Sequence, residues 1–402
     1  MRIALIADAF PPMRTSAAVQ IRDLSNEFRL QQHELTVILP SADIKNAWSL
    51  EEIDSVRVLR LRTPKIKDVN YIRRTFVECL MPFFMRKNIL KSPLAKDQWD
   101  GVVWYSPSIF HGPFIQSVKK RSKCKSYLII RDIFPQWAAD LGLMSQRGPV
   151  YRFFNAVARY QYSVADVIGV QTAGNLDYFS YWSSAVEKRL EVLQNWLFDS
   201  PISRCSICLD HTKLAGRKIF VYAGNMGIAQ GVDSFINLAA LLQNRMDIGF
   251  VFVGRGSELR KLNDLVLRRS LDNVLFFDEI HPDEIPGLYS QCTIGLVALD
   301  PRHKSHNIPG KFLTYMQAGL PVLARINADN DLVRLIQENN VGRVSSQTND
   351  RHFERLACEI LDMVDADSEI KNRCRGLYIN NFSPVAAVGQ IVNALRDEKV
   401  WV

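Results

Sequence analysis

Short, continuously apolar runs alternate with helical stripes along this chain, and the series occurs twice. Ile3–Ala7 and Leu35–Leu39 are runs of the kind that a strand buried on both faces requires. Between them Ala18, Ile21, Leu24 and Phe28 recur at helical spacing. The loop Asp8–Thr15 contains Pro11-Pro12, and Ser16 is placed to cap the helix that follows. Further apolar runs lie at Val56–Leu61, Val102–Tyr105, Tyr127–Ile130 and Val167–Val170. A polar stretch from Asn195 to Gly216 interrupts the pattern and reads as a linker. The alternation then resumes, with strands predicted at Lys218–Ala223, Ile248–Val253, Val274–Phe277, Ile294–Leu299 and Pro321–Ala324. Helices are predicted between them at Val232–Leu242, Ser257–Arg269, Asp283–Gln291 and Pro309–Ala318.

Such alternation builds parallel sheets with helices on both faces. The expected fold class is α/β, with two Rossmann-like, doubly wound domains facing a cleft. The first spans 1–195, a linker 196–216, and the second 217–385, while a C-terminal helix at 386–402 packs back on the first domain. The length, 402 residues, suits two cores rather than one. Ligands in these sheets sit outside the carboxyl ends of the strands, so the strand-to-helix turns are where chemistry is expected.

The formal charge is +8, and it is unevenly spread. Residues 1–195 hold 27 Lys+Arg against 18 Asp+Glu, while the remainder is close to neutral. Arg57–Lys91 alone has ten basic residues against Asp68 and Glu78. One surface of the first domain therefore faces an anionic partner: nucleic acid, an acidic membrane or a phosphate-bearing substrate. No nucleic-acid-binding motif accompanies the basic residues, which come with Phe and Leu runs, and this argues against nucleic acid. Tyr71–Leu90 mixes a large apolar face with basic residues, including Arg73 and Arg74, at both ends. Pro82 is expected to split it into two short helices. Such a stretch either lies at a membrane interface or packs as a helix pair with a solvated basic edge. The seven cysteines form no disulfide framework, and Cys205-Ser-Ile-Cys208 lacks a second metal-ligating pair. No signal segment or membrane span is recognisable, so a cytoplasmic location is expected.

Two segments carry the most chemical information. In Ile219–Asp233 a buried strand runs into Gly224-Asn225-Met226-Gly227 and a helix begins near Gln230. This is either a plain β–α turn or a cradle whose amides approach a phosphate at a helix N-terminus. Val253-Gly-Arg-Gly-Ser257 repeats the design, with Arg255 as a permanently charged donor. In Asn307–Pro321, Pro309 suits the first helical turn and Gly319 the stop. Lys311 then sits against the positive end of the helix dipole, as a solvated lysine or as the partner of a bound anion.

These two segments resemble the GT-B-fold retaining glycosyltransferases that use UDP-sugars, family four in the usual classification. Ala9-Phe-Pro-Pro12, Arg131-Asp-Ile-Phe-Pro135, Ala165–Thr172 and Leu193-Gln-Asn-Trp196 extend the resemblance across nearly the whole chain. Gly224–Gly231 is similar to the subgroup that builds bacterial O-antigen and capsule repeats, the N-acetyl-L-fucosamine transferases above all. The departures matter. The pyrophosphate-gripping Arg and Lys of the family fall on Asn225 and Gln230, its paired glutamates on His306 and Thr314, and a first-domain His on Arg131.

The resemblance implies a retaining, metal-independent transferase of polysaccharide or lipopolysaccharide biosynthesis, with no cofactor beyond its UDP-sugar substrate. Donor-side candidates are Gly224, Asn225, Gly227, Gln230, Arg255, Ile280, Asn307, Lys311 and Thr314. Catalytic candidates are Arg131, to hold a phosphate, and Asp132, as a base or only a loop carboxylate. Ser16, Arg73 and Arg74 are acceptor-side candidates for a lipid-pyrophosphate-linked saccharide. The enzyme is then expected to be peripheral at the inner face of the plasma membrane. A sugar-nucleotide epimerase of like architecture and a non-catalytic partner of a transferase are the alternatives.

Overall fold

The computed structural model describes residues 1–13, 15–65, 70–140, 142–183, 188–199, 201, 204–227, 230–299 and 308–396. It divides into two compact units, Met1–Gln194 with Pro384–Val402, and Asn195–Ser383.

The first unit is built on an eight-stranded sheet. Its strands are β1 (Arg2–Ile6), β2 (Glu34–Ser41), β3 (Trp48–Ile53), β4 (Val56–Arg62), β5 (Gly101–Tyr105), β6 (Lys125–Ile129), β7 (Val167–Val170) and β8 (Arg189–Val192). They lie in the order β3-β4-β2-β1-β5-β6-β7-β8. All pairings are parallel except that of the edge strand β3 with β4. Ile3, Ala4, Leu5 and Ile6 are fully buried, which explains why β1 reads as an uninterrupted apolar run. The helices are α1 (Ser16–Leu30), α2 (Tyr71–Ile89), α3 (Gly112–Ser122), α4 (Gln136–Asp140), α5 (Pro149–Val164) and α6 (Leu176–Ser183).

The second unit has six parallel strands: β9 (Lys218–Ala223), β10 (Ile248–Val253), β11 (Val274–Phe277), β12 (Ile294–Ala298), β13 (Val322–Arg325) and β14 (Gly342–Ser345). Their order is β11-β10-β9-β12-β13-β14. One face is covered by α7 (Asp233–Leu241), α8 (Leu259–Arg268) and α12 (Asp350–Ala366). The other is covered by α9 (Ile285–Tyr289), α10 (Gly310–Ala318), α11 (Asp331–Glu338) and α13 (Ile370–Leu377). The last helix, α14 (Pro384–Arg396), packs on α1 and β6 in the first unit. Both sheets reverse their winding beside the first strand of the unit, between β1 and β5 and between β9 and β12. Such a reversal leaves a crevice at the carboxyl ends where a ligand fits.

Three sequence expectations are corrected. The stretch 196–216 is not a free linker: Ile207, Leu209 and Leu214 are buried in the core of the second unit. Glu284 accepts from the Ser206 amide at 2.6 Å, and Gln291 both accepts from Leu209 N and donates to Ile207 O. The N-cap of α1 is Thr15, whose Oγ1 accepts from Ala18 N, and Ser16 is the exposed first helical residue. Finally, α2 is one helix despite Pro82. A proline there costs about 3 kcal/mol, but Met81, Met85 and Ile89 are buried along one face. Burying side chains of this kind returns about 1.5–3 kcal/mol each, so packing holds the helix together.

Candidate functional site

The turn after β9 stands at the reversal point of the second sheet. Gly224 has φ +131, a backbone conformation open to glycine and strained for other residues. The Tyr222 hydroxyl donates to Asn225 O at 2.7 Å, and Met226 N donates to Arg255 O at 2.7 Å. The second glycine-containing turn, after β10, presses against the first. A Cβ on Gly256 would stand 2.2 Å from Met226 O and 2.3 Å from Met226 C. The glycines of Val253–Ser257 therefore let two backbones meet, so that the second turn buttresses the first.

Lys311 reaches this turn from the first turn of α10, two residues past the Pro309 cap. Helix α10 is bolted to the sheet at the reversal point: the buried Tyr315 hydroxyl donates to Val221 O at 3.0 Å on β9 and reaches Leu296 O at 3.3 Å on β12. Lys311 Cε and Nζ lie 3.0 Å from where a Cβ on Gly224 would be, a close approach of the lysine tip to the glycine turn. The ammonium rests over the Tyr222 ring, 4.7 Å from its centroid. Among the described residues it has no hydrogen-bond or carboxylate partner. Burial pulls its pKa down to about 8. The first turn of α10 contains no acidic residue to offset either the cation or the helix dipole. A half-buried cation with no acidic partner among the described residues, at a helix N-terminus and a glycine turn, is suited to an incoming anion.

The other donor-side candidates divide. Gln230 closes the first turn, its Oε1 accepting from Gly227 N at 3.1 Å and from Asn225 Nδ2 at 3.3 Å. Asn225 and Gly227 thus both donate to the Gln230 carbonyl oxygen. Thr314 donates to Lys311 O at 2.9 Å and keeps the first turn of α10 tight. Ile280 packs at the margin of the core. Arg255 does not point into the turn; its side chain is 80% exposed and pairs with Glu279 at 3.2 Å. Asn307 lies outside the described residues. A recess of about 410 Å³ opens beside Gly227 and Gly231 on the α7–α8–α12 face, and both cations lining it are already paired: Arg325 with Asp350 and Lys261 with Glu258, each at 2.7 Å.

In the first unit, Arg131 lies at the end of β6. It is buried, donates from Nη1 to Leu193 O at 3.1 Å and from Nη2 to Gln194 O at 3.5 Å, and lies over the Tyr105 ring. Its Nη donors tie the end of β6 to the chain leaving β8, so at least part of the guanidinium serves the fold. Asp132 beside it is exposed at the same strand end, and desolvation raises its carboxyl pKa against the pull of Arg131. Arg73 and Arg74 are exposed on α2, Arg74 paired with Glu78 at 3.0 Å, and Ser16 is exposed at the start of α1. Helix α2 also exposes Phe76, Phe83 and Phe84, and its C-cap residue Leu90 is exposed as well. Among the described residues no helix is long and apolar enough to cross a membrane, and no cluster of acids, histidines and cysteines has the make-up of a metal site.

Tyr222 and Tyr315 belong to the surroundings of Lys311 without any mark in the sequence. In the sequence they are merely apolar members of a strand and a helix, and nothing but their tertiary position marks them.

Residues 217–364 match the family of glycosyl transferases group 1. A probable glycosyltransferase, WbjE of Pseudomonas aeruginosa, is 24% identical over 252 residues, covering 60% of this chain and 60% of its own length. The putative colanic acid biosynthesis glycosyl transferase WcaI of Escherichia coli K12 is 25% identical over 262 residues, covering 61% and 62%. The chain thus matches about 60% of the length of these curated relatives. Among solved structures, WaaG, a glycosyltransferase involved in lipopolysaccharide biosynthesis, superposes with a TM-score of 0.59 at 14% identity, covering 98% of this chain and 99% of its own. Anabaena HepE, solved in complex with UDP-glucose, gives a TM-score of 0.62 at 13% identity and the same coverage. The chain therefore has the two-unit α/β architecture of the GT-B fold, and residues 217–364 of it match the glycosyl transferases group 1 family.

Proposed function

We propose that this protein is a glycosyltransferase that takes a sugar from a UDP-sugar and places it on a lipid-pyrophosphate-linked saccharide in the synthesis of a bacterial surface polysaccharide. The observation that carries this reading is Lys311, an ammonium without an acidic partner among the described residues, held by Tyr222 and Gly224 at the reversal point of the second sheet. As the bond between the anomeric carbon and UDP breaks, negative charge grows on the diphosphate. Preorganised donors at that position lower the barrier most. Lys311 and the amide end of α10 supply positive charge there, in place of the Arg and Lys that the resembled family carries at Asn225 and Gln230. Retention of configuration and an N-acetyl-L-fucosamine donor rest on the sequence resemblance. The glycosyl transferases group 1 match favours transfer over the epimerase alternative.

The acceptor side is supported by α2. Its outer face combines Phe76, Phe83, Phe84 and Leu90 with the exposed basic residues Arg73, Arg74, Arg86 and Lys87. This pairing of apolar and basic groups suits an anionic lipid surface, where each cation adds about 1 kcal/mol. Binding to anionic vesicles that weakens with added salt is the expected result, and no binding at low salt removes the membrane from the reading.

The deciding experiment is a panel of UDP-sugars, including UDP-N-acetyl-L-fucosamine, with short prenyl-pyrophosphate-linked saccharides, read as UDP release and product mass. UDP affinity is measured by calorimetry alongside. Transfer by some pair is expected. UDP binding without transfer supports the non-catalytic partner instead, and absence of UDP binding removes the transferase reading.

A further inference from the structure

The reversal point of the first sheet holds a second polar arrangement. Asp8 follows β1, and His111 ends the loop after β5, so the two residues come from the two strands between which the winding reverses. His111 Nε2 lies 2.8 Å from Asp8 Oδ1. The imidazole is fully buried, whereas the Asp8 side chain is one-third exposed. His111 Nδ1 is buried and has no hydrogen-bond partner. That asymmetry fixes the tautomer: a proton on Nδ1 would be buried without an acceptor, so the ring proton sits on Nε2 and is donated to Asp8. Among the described residues, Asp8 Oδ2 accepts no hydrogen bond, and the Asp8 side chain is the part of the pair that meets solvent.

We propose that Asp8 is a substrate-binding residue, its Oδ2 accepting the hydrogen bond of a hydroxyl on the acceptor saccharide, and that His111 is a positioning residue that holds the carboxylate in place. A buried imidazole donating to one oxygen leaves the other in a fixed direction, as an orienting partner should. The first preference for ligand binding in an open α/β sheet is this reversal point. The proposal rests on the transferase reading above and names the residue of the first unit that meets the acceptor.

The test uses the full chain and the UDP-sugar and prenyl-pyrophosphate saccharide pair that turns over fastest in the panel. Asp8→Asn keeps shape and removes the carboxylate. It is expected to lower kcat/KM for the acceptor about 10–100-fold, the loss of one charge-assisted hydrogen bond, with UDP affinity within about twofold of wild type, since the donor side is untouched. His111→Ala is expected to lower it less, and the double variant Asp8→Asn/His111→Ala to be no worse than Asp8→Asn alone, because His111 acts through Asp8. Asp8→Asn with unchanged acceptor kinetics, or additive losses in the double variant, overturns the proposal while leaving the transferase reading intact. If Asp8→Asn does not fold, Asp8→Glu takes its place, and unchanged acceptor KM and kcat in that variant, whose longer side chain moves the oxygen, counts equally against it. A wild-type chain that transfers no sugar in the panel overturns both readings at once.

Discussion

Arg131 and Lys311 are two half-matched versions of one arrangement. Each is a cation at the carboxyl end of a parallel strand or on the helix that follows one. Each lies over a tyrosine ring, Tyr105 at 5.7 Å and Tyr222 at 4.7 Å, and burial lowers the pKa of each. They differ in what else they touch. Arg131 donates to the carbonyls of Leu193 and Gln194, whereas Lys311 has no acceptor among the described residues. A buried charge that the chain itself satisfies belongs to the fold. One that the chain leaves unmet costs stability and is kept for a ligand that meets it.

The largest effect expected from this contrast is on stability at Arg131. Arg131→Ala removes two charge-assisted hydrogen bonds and strands two carbonyls, and it should destabilise by about 2–4 kcal/mol, read as a lower denaturant midpoint for the transition of the first unit. Arg131→Lys should not restore it, since one ammonium cannot fork between two carbonyls. A stable Arg131→Ala protein that has lost only turnover would break the contrast and return Arg131 to the chemistry.

Lys311 should behave in the opposite way. Lys311→Ala is expected to cut turnover about ten-fold or more, from the loss of a contact worth about 1.5–3 kcal/mol; near-wild-type turnover would remove Lys311 from the mechanism. Its protonation should also show in the donor kinetics. With an apo pKa of about 8, kcat/KM for the donor should fall as pH rises through that value. The same limb in kcat should lie at higher pH, because a bound anion stabilises the ammonium, and Lys311→Arg should carry the limb out of range. A pH profile flat from 7 to about 9.5 contradicts this assignment.

A smaller effect concerns the stability of the free protein. The folded pKa of Lys311 lies below its ordinary 10.5, so between about 8 and 10.5 the unfolded chain holds more protons and wild-type stability rises with pH. Lys311→Met lacks this dependence, and at pH 7 it should stabilise the protein by about 1–2 kcal/mol, a gain that shrinks as pH climbs through that window. Equal stability of the two proteins at pH 7 would mean that the cation is already satisfied. The smallest effect is at Gln230, where Gln230→Ala uncaps Gly227 N and should cost about 1 kcal/mol with a modest loss of UDP affinity.

Much of the molecule was legible beforehand where it depends on local pattern. The strands β1, β2, β9, β10 and β12 are visible because a strand covered on both faces must be apolar throughout. Helix α10 is visible because Pro309 and Gly319 mark its ends. The hairpin of β3 and β4 was not, since its two-residue turn is Asp54-Ser55, both at positive φ, without the glycine that usually announces such a turn. The continuity of α2 was hidden because the packing that holds it across Pro82 comes from residues distant in sequence. Asn225 and Gln230 could be aligned with a family's cations, but their pairing with each other is a fact of distance.

The amino-acid sequence by itself determined the two α/β sheets, the glycine turns at their strand ends and the presence of a lysine at the wrong end of a helix dipole. These follow from periodicity, backbone conformational preference and the field of the helix, all of which act within a few residues. Only the tertiary structure decided which cation meets backbone carbonyls and which has no acceptor among the described residues, and that Asp8 and His111 meet across 103 positions of chain. A charge is judged by its neighbours in space, and in a sheet whose winding reverses, those neighbours come from distant turns.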